Sequence, residues 1–295
     1  MAKTRKSSKR AAPWRPTSKR VARSTMKGFM FDLDGTLLLS DRSLGGYEVL
    51  PGAIEVLERL RERGIPFVVL TNGSAYPPAE QAAKLRGVGL PVGDDQMLTP
   101  SSVTAHHMTG AGIGRALILG KPGVGHALAE AGIETFAPGE GDPASADAVY
   151  VGWHPDCHMR DIEAACMAVW AGAKLYVASN VPFFATRHGR TMGYSSAIVG
   201  AIRHMTHAPM ILTGKPSLHA LRFVAARLGV KPREVVVVGD DPGVETIMAN
   251  RMGATTYGVC TGVMTAEAWA KEKGLRRPRR ALKRIDELLA LPPLA

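Results

Sequence analysis

The sequence predicts an α/β protein with parallel sheet and two modules, and three observations carry that expectation. The apolar run Phe29–Phe31, the amphipathic segment Ala53–Arg63 and the run Ile65–Leu70 form a β-α-β unit, whose strands lie parallel and whose crossover is right-handed. Three further strand–helix alternations fill residues 116 to 178 and make a second α/β module. Two more, between residues 210 and 259, return to the first. The 295 residues suit two ordinary domains or one large one, and 45% hydrophobic residues suit a sizeable core.

The elements follow in order. Residues 1–25 are polar, basic and aperiodic, and read as a disordered tail. Residues 1–27 hold ten Lys/Arg and no Asp/Glu, so this end supplies +10 of the net charge of +11. Such a tail suits contact with nucleic acid or an anionic surface, or serves only to solubilise. Trp14 is its one aromatic, so a stacking platform for bases is not indicated. The tail lacks the apolar stretch of a secretory signal. No apolar run in the chain is long enough to span a bilayer. Cys157, Cys166 and Cys260 are an odd number without metal-type pairing, which suits a reducing cytoplasm.

After the first strand, Leu39–Leu50 reads as a polar loop. Pro51-Gly52 starts the helix Ala53–Arg63, which turns Ile54, Leu57 and Leu60 to one face and stops at Gly64. Pro77–Leu85 is helical, and Thr99-Pro100 opens another helix through Met108. Strands Ala116–Leu119, Asp147–Val151 and Leu175–Ala178 alternate with helices Val124–Ala131 and Met159–Ala171. Then come helix Ser195–Met205, strand Met210–Leu212, helix Leu218–Leu228, strand Glu234–Val238, helix Val244–Arg251 and strand Thr255–Val259.

Four chemical features stand where strands end or the next helix opens, which is where parallel sheets bind ligands. They are Asp32-x-Asp34, Thr71-Asn72, Lys215 and Asp240-Asp241. Strand geometry points Asp32 and Asp34 the same way, and two converging carboxylates call for a divalent cation. Together the four give one chemistry. Asp32 is a nucleophile toward phosphorus, and Mg²⁺ bridges Asp32, Asp240 and a phosphoryl oxygen. Lys215 supplies positive charge, and the Thr71 hydroxyl bonds the same oxygens. Asp34 protonates the leaving oxygen and then deprotonates water.

These residues resemble motifs one to four of the haloacid dehalogenase superfamily of phosphatases: Asp32-Leu33-Asp34-Gly35-Thr36, Thr71-Asn72, Gly214-Lys215-Pro216 and Gly239-Asp240-Asp241. The long gap from Thr71 to Lys215 resembles the NagD-like branch, subfamily IIA, where a large α/β cap is inserted. Leu50-Pro51-Gly52-Ala53, Leu98-Thr99-Pro100-Ser101 and Gly258-Val259-Cys260-Thr261-Gly262-Val263 add to it. The resemblance implies a Rossmann-like doubly wound core (26–100 and 206–292), an α/β cap (101–205) and Mg²⁺-dependent hydrolysis of a small phosphorylated metabolite. It also implies metal ligation by Asp32, Asp240 and the carbonyl of Asp34, and dimerisation through the cap. Thr71, Asn72, Gly73, Lys215 and Asn180 are expected to bind substrate, with Arg187 and His188 (and Arg190 beside them) offered to a second anionic group.

Two departures stand out. Motif four leaves Asp241 and Glu245 as candidates for its second acid. Relatives carry Thr-Asn-Pro-Asp in the cap, where this chain has Ser179-Asn180-Val181-Pro182. The alternatives are an aspartate-based phosphotransferase and, from another class, a catalytically degenerate binding protein whose basic tail holds nucleic acid. Elsewhere, Gly110-x-Gly112-x-Gly114 follows a helix and so is not a dinucleotide fingerprint. His154-Pro155-Asp156-Cys157-His158 lacks the remote ligand pair of a zinc site and reads as a loop before the Met159 helix. His106-His107 reads as a helix surface, and Arg276–Arg284 as a solvated face flanking the final helix.

Overall fold

A computed structural model describes residues 26–40, 46–186 and 189–295. Two parallel sheets organise it. The first has six strands in the order Arg280–Leu282, Thr255–Val259, Val235–Gly239, Gly28–Phe31, Phe67–Leu70 and Met97–Leu98. The chain starts in the middle and winds outward in both directions, the doubly wound arrangement expected. Gly28–Phe31 is central because both faces are apolar: Phe29 packs on Phe31 at 5.7 Å, and Met30 faces the other way. Each such fully buried side chain contributes about 1.5–3 kcal/mol.

The second sheet runs Met210–Leu212, Lys174–Val177, Ala148–Val151, Arg115–Leu119 and Glu134–Phe136, again all parallel. The helix Pro100–Gly110 packs on Pro122–Glu130 of the second module and on Leu218–Arg227 of the first. Polar contacts also join the modules. Thr104 Oγ1 donates to Thr213 Oγ1 at 2.7 Å, and the Trp153 N–H donates to Ser74 Oγ at 3.0 Å.

Several expectations change. Met210–Leu212 was expected in the core, whose second segment was to begin at residue 206. It instead covers the open edge of Lys174–Val177, so the return to the first module falls after Leu212. The loop Leu39–Leu50 carries two antiparallel arms, Leu38–Ser40 and Tyr47–Val49. Phe183–Thr186 and Gly189–Met192 pair antiparallel within the second module. The Arg276–Arg284 run contains the edge strand Arg280–Leu282. His106 and His107 are not a bare helix surface: His106 lies against Phe223 at 5.1 Å, and His107 against His219 at 4.3 Å. The helix expected at Val244–Arg251 begins as a wide π turn, Pro242–Thr246, before Ile247–Arg251. Among the described residues no helix is long and apolar enough to cross a membrane. The basic tail, residues 1–25, lies outside the described residues.

Candidate active site

Three adjacent strands of the first sheet deliver the site. Val235–Gly239, Gly28–Phe31 and Phe67–Leu70 lie side by side and end in Asp240, Asp32 and Thr71. The Asp32 N–H donates to Val238 O at 2.9 Å, so the first carboxylate leaves the sheet from a fixed backbone. The fourth component arrives from the other module. Lys215 follows the strand Met210–Leu212 and precedes the helix Leu218–Arg227, whose Ala220, Leu221 and Val224 pack into the first core.

Asn72 fixes that arrival. Its Nδ2 donates to Lys215 O at 2.9 Å, and its Oδ1 accepts from Lys215 N at 2.8 Å. The sequence offers this residue to substrate, and in the structure its amide holds the backbone of the lysine. The Gly73 N–H likewise donates to Thr71 Oγ1 at 2.9 Å, which fixes the direction of the Thr71 hydroxyl.

The Lys215 side chain is 1% exposed, and its ammonium pairs with Asp32 and with Glu245, the latter at 2.8 Å. Burial works to strip its proton, but the charges of Asp32 and Glu245 outweigh burial and hold its pKa above the ordinary range. Glu245 therefore faces the site. Asp241 does not: its Oδ1 accepts from Gly243 N at 2.6 Å and caps the π turn. That turn explains the choice left open by the sequence. A π turn adds a residue to the helical circuit and often marks a functional site. Here it brings Glu245, five positions past Asp240, back over Lys215.

Asp240 sits where no larger neighbours fit. A Cβ on Gly35, whose φ is +80°, would lie 2.5 Å from Asp240 Oδ2, and a Cβ on Gly262 would also strike that carboxylate. Val263 N donates to the same oxygen at 2.8 Å. Thr261 Oγ1 ties the two loops together by donating to Gly35 O at 2.7 Å. Burial raises the carboxyl of Asp240 above its ordinary range, and the charges of Asp32 and Glu245 add to it. Burial also raises Glu245, with Lys215 partly offsetting it.

Asp32, Asp240 and Glu245 each present a carboxylate oxygen, and the three lie within 4.8 Å of one another. Three crowded carboxylates with one ammonium are an all-oxygen donor set with charge to spare, and they fit a hard divalent cation. The Asp34 side chain is not in this group. Part of the residue reaches solvent, while its carboxylate is crowded by its surroundings and accepts from the Ser40 hydroxyl. Desolvation by the surrounding walls, with the Asp32 charge beside it, still raises its carboxyl above the usual range, the direction an acid needs. Only its backbone carbonyl was expected to ligate metal.

The residues around the mouth are placed unevenly. Ala178 O accepts from Gly214 N at 3.0 Å, so the segment leading into Asn180 runs beside the Lys215 loop. Asn180 is exposed, and its carbonyl accepts from Ser196 Oγ at 3.1 Å. Arg187 and His188 lie outside the described residues, as does the Arg190 side chain. Sequence reasoning missed Ser40, Val263 and the two glycines as parts of the site. The glycines lie in quoted motifs, but only the close packing on Asp240 gives them a task.

Comparison with known proteins agrees with this geometry. A haloacid dehalogenase-like hydrolase model matches residues 29–134 and a HAD-hydrolase-like model matches 212–288, together more than half the chain. The 5'-nucleotidase YutF of Bacillus subtilis is 27% identical over 264 residues, covering 89% of this chain and 97% of that protein. Among solved structures, glycerol phosphate phosphatase from Mycobacterium tuberculosis in complex with calcium superposes with a TM-score of 0.77 at 27% identity, over 89% of this chain and 74% of that one. NagD from Escherichia coli K-12 shares the fold, with a TM-score of 0.78 at 22% identity over 89% of this chain and 98% of its own. The strand-end carboxylates, the buried lysine and the inserted second sheet thus have one common explanation: the chain belongs to the haloacid dehalogenase-like hydrolases.

Proposed function

We propose that the chain is a Mg²⁺-dependent phosphatase that hydrolyses small phosphorylated metabolites through an aspartyl-phosphate intermediate. The observation that carries this is the buried contact of Lys215 with Asp32 and Glu245, with Asp240 alongside. The names of the relatives support the substrate class, since they act on nucleotides and glycerol phosphate.

In this reading Asp32 attacks phosphorus. Lys215 orients the nucleophile and balances the charge of the transferring group, and the Thr71 hydroxyl donates to its oxygens. Asp34 gives its proton to the departing oxygen. It then takes one from the water that cleaves the aspartyl-phosphate, which releases phosphate and restores Asp32. Asp32, Asp240 and Glu245, with the Asp34 carbonyl, would hold Mg²⁺, which supplies further neutralisation of phosphoryl charge when bound. The second module, residues 101–212, acts as a cap that closes over the site and excludes water. Three free cysteines support a reducing compartment, the cytoplasm.

Phosphate release from a panel of sugar phosphates, nucleotides and glycerol phosphate, with Mg²⁺ and after chelation, tests the proposal. Release that depends on the metal is expected; none from any member with Mg²⁺ present would sink it. Asp34→Asn separates acid catalysis from the rest. The variant should lose about 10²–10⁴-fold in turnover of alkyl phosphates. Formation of the aspartyl-phosphate, read as the burst of leaving group released before the intermediate is hydrolysed, should lose far less on p-nitrophenyl phosphate, whose leaving group departs as a stable anion. Equal losses in that first step on both substrates would remove the acid role.

We also place a homodimer contact on the cap. Met159, Met167 and Trp170 share one face of the helix Met159–Trp170 and are 78%, 48% and 62% exposed. Light scattering should give twice the chain mass, and Trp170→Glu should return the monomer. A wild-type monomer at micromolar concentration rules the contact out.

A further inference from the structure

We infer that the second module carries a metal site of different chemistry, in which His154, Cys157 and Asp161 bind a borderline-soft divalent ion of the Zn²⁺ class. The sequence places His154 and Cys157 in one short loop but shows no remote partner for them. The structure supplies it from the first turn of the following helix. His154 Nε2 lies 3.4 Å from Asp161 Oδ2, and one ligand atom from each of His154, Cys157 and Asp161 lies within 4.8 Å of the others.

The site is built rather than incidental. Asp161 is 7% exposed, and its Oδ2 accepts from His158 N at 2.7 Å, so the carboxylate cannot swing away. The loop that carries the other two ligands is held on both sides. Lys121 N donates to Trp153 O at 2.9 Å, Lys121 Nζ pairs with Asp156 at 2.6 Å, and Trp153 N donates to Ser74 Oγ at 3.0 Å. Capping the helix uses Asp161 and His158. It does not require an imidazole and a thiol to converge on the same carboxylate.

The donor set decides the metal. Nitrogen, sulfur and oxygen from three side chains match zinc sites with three protein ligands and an open fourth position. A thiol is a poor ligand for Mg²⁺ or Ca²⁺, which want oxygen alone. His154 and Cys157 are half-buried, so the fourth position faces water. Binding would release the thiol proton of Cys157, which now donates to His158 O at 3.7 Å. Because Trp153 is bonded to Ser74, three residues past Thr71, an ion here would stiffen the joint between the second module and the phosphate-binding loop.

The test is a Co²⁺ titration of the reduced full chain with Mg²⁺ in large excess to fill the carboxylate cluster. The expected result is a near-ultraviolet thiolate-to-cobalt band with tetrahedral visible absorption, saturating at one equivalent and displaced by Zn²⁺. Cys157→Ser should abolish the band, and Asp32→Asn should keep it. His154→Gln should weaken Co²⁺ binding by about tenfold or more. The absence of a thiolate band overturns the proposal. So does a band that survives in Cys157→Ser, which would come from Cys166 or Cys260. If Cys157→Ser does not fold, His154→Gln decides, and unchanged Co²⁺ affinity in that variant overturns the site. None of these readouts depends on phosphatase turnover.

Discussion

Asp32→Asn should lower phosphate-monoester turnover by about 10⁴-fold or more, the scale seen when a nucleophile is removed and only binding and electrostatics remain. The amide has nearly the same shape, so packing at the strand end is kept, but it cannot form the acyl phosphate. The variant should fold normally. Lys215 retains Glu245 at 2.8 Å as a partner, so no buried charge is stranded. Circular dichroism and a thermal melt close to wild type, with phosphate release at the assay background, are the expected pair of results. A variant that turns over at the wild-type rate would mean that Asp32 is not the attacking group.

Lys215→Met should hurt both activity and stability, and the second effect is the more informative. Asp32, Asp240 and Glu245 stay behind in a buried space without the ammonium that balances them. Removing one partner of a buried ion pair costs about 3–5 kcal/mol, so the melting temperature should fall by several degrees. Mg²⁺ should restore more of that loss than it adds to wild type, because the crowded carboxylates then have only the ion to offset them. Lys215→Arg should not rescue activity, since a planar guanidinium does not fit a site 1% exposed. Differential scanning fluorimetry with and without Mg²⁺ reads the stability of both variants beside wild type, and phosphate release reads their activity. If Lys215→Met melts like wild type and gains no more than wild type from Mg²⁺, the electrostatic account of this site is wrong.

The legible parts of this protein are those that depend on local pattern. Strands such as Phe29–Phe31 and Val235–Val238 are apolar on both faces, so they announce a buried parallel sheet, and the acids at their ends are conspicuous for interrupting that pattern. Doubly wound topology then brings those ends together. The less legible parts depend on partners distant in sequence. Nothing local to Met210–Leu212 says which sheet edge it will cover. The task of Asn72 becomes visible only when Lys215, 143 residues on, is beside it. Glu245 and Asp241 are equally acidic, and the π turn that separates their roles is a backbone detail without a side-chain period. Arg280–Leu282 and Glu134–Phe136 are too short and too polar to stand out as strands. His154 and Cys157 look like an ordinary loop until Asp161 closes on them.

Lys215 is mounted on the border between two pieces of architecture. The strand before it belongs to the second sheet and the helix after it to the first core, with only Thr213 and Gly214 between Leu212 and the lysine. Thr213 is itself tied to Thr104 and to Val177 O. This sets a rule for anyone grafting a different cap onto this scaffold to change its substrate. A chimera spliced before Met210 breaks the second sheet, whereas one spliced after Lys215 imports a foreign ammonium that Asn72 has not been fitted to hold. The usable seam is the dipeptide Thr213-Gly214, and a transplant should keep Asn72, Lys215 and the helix beyond them as one inherited unit.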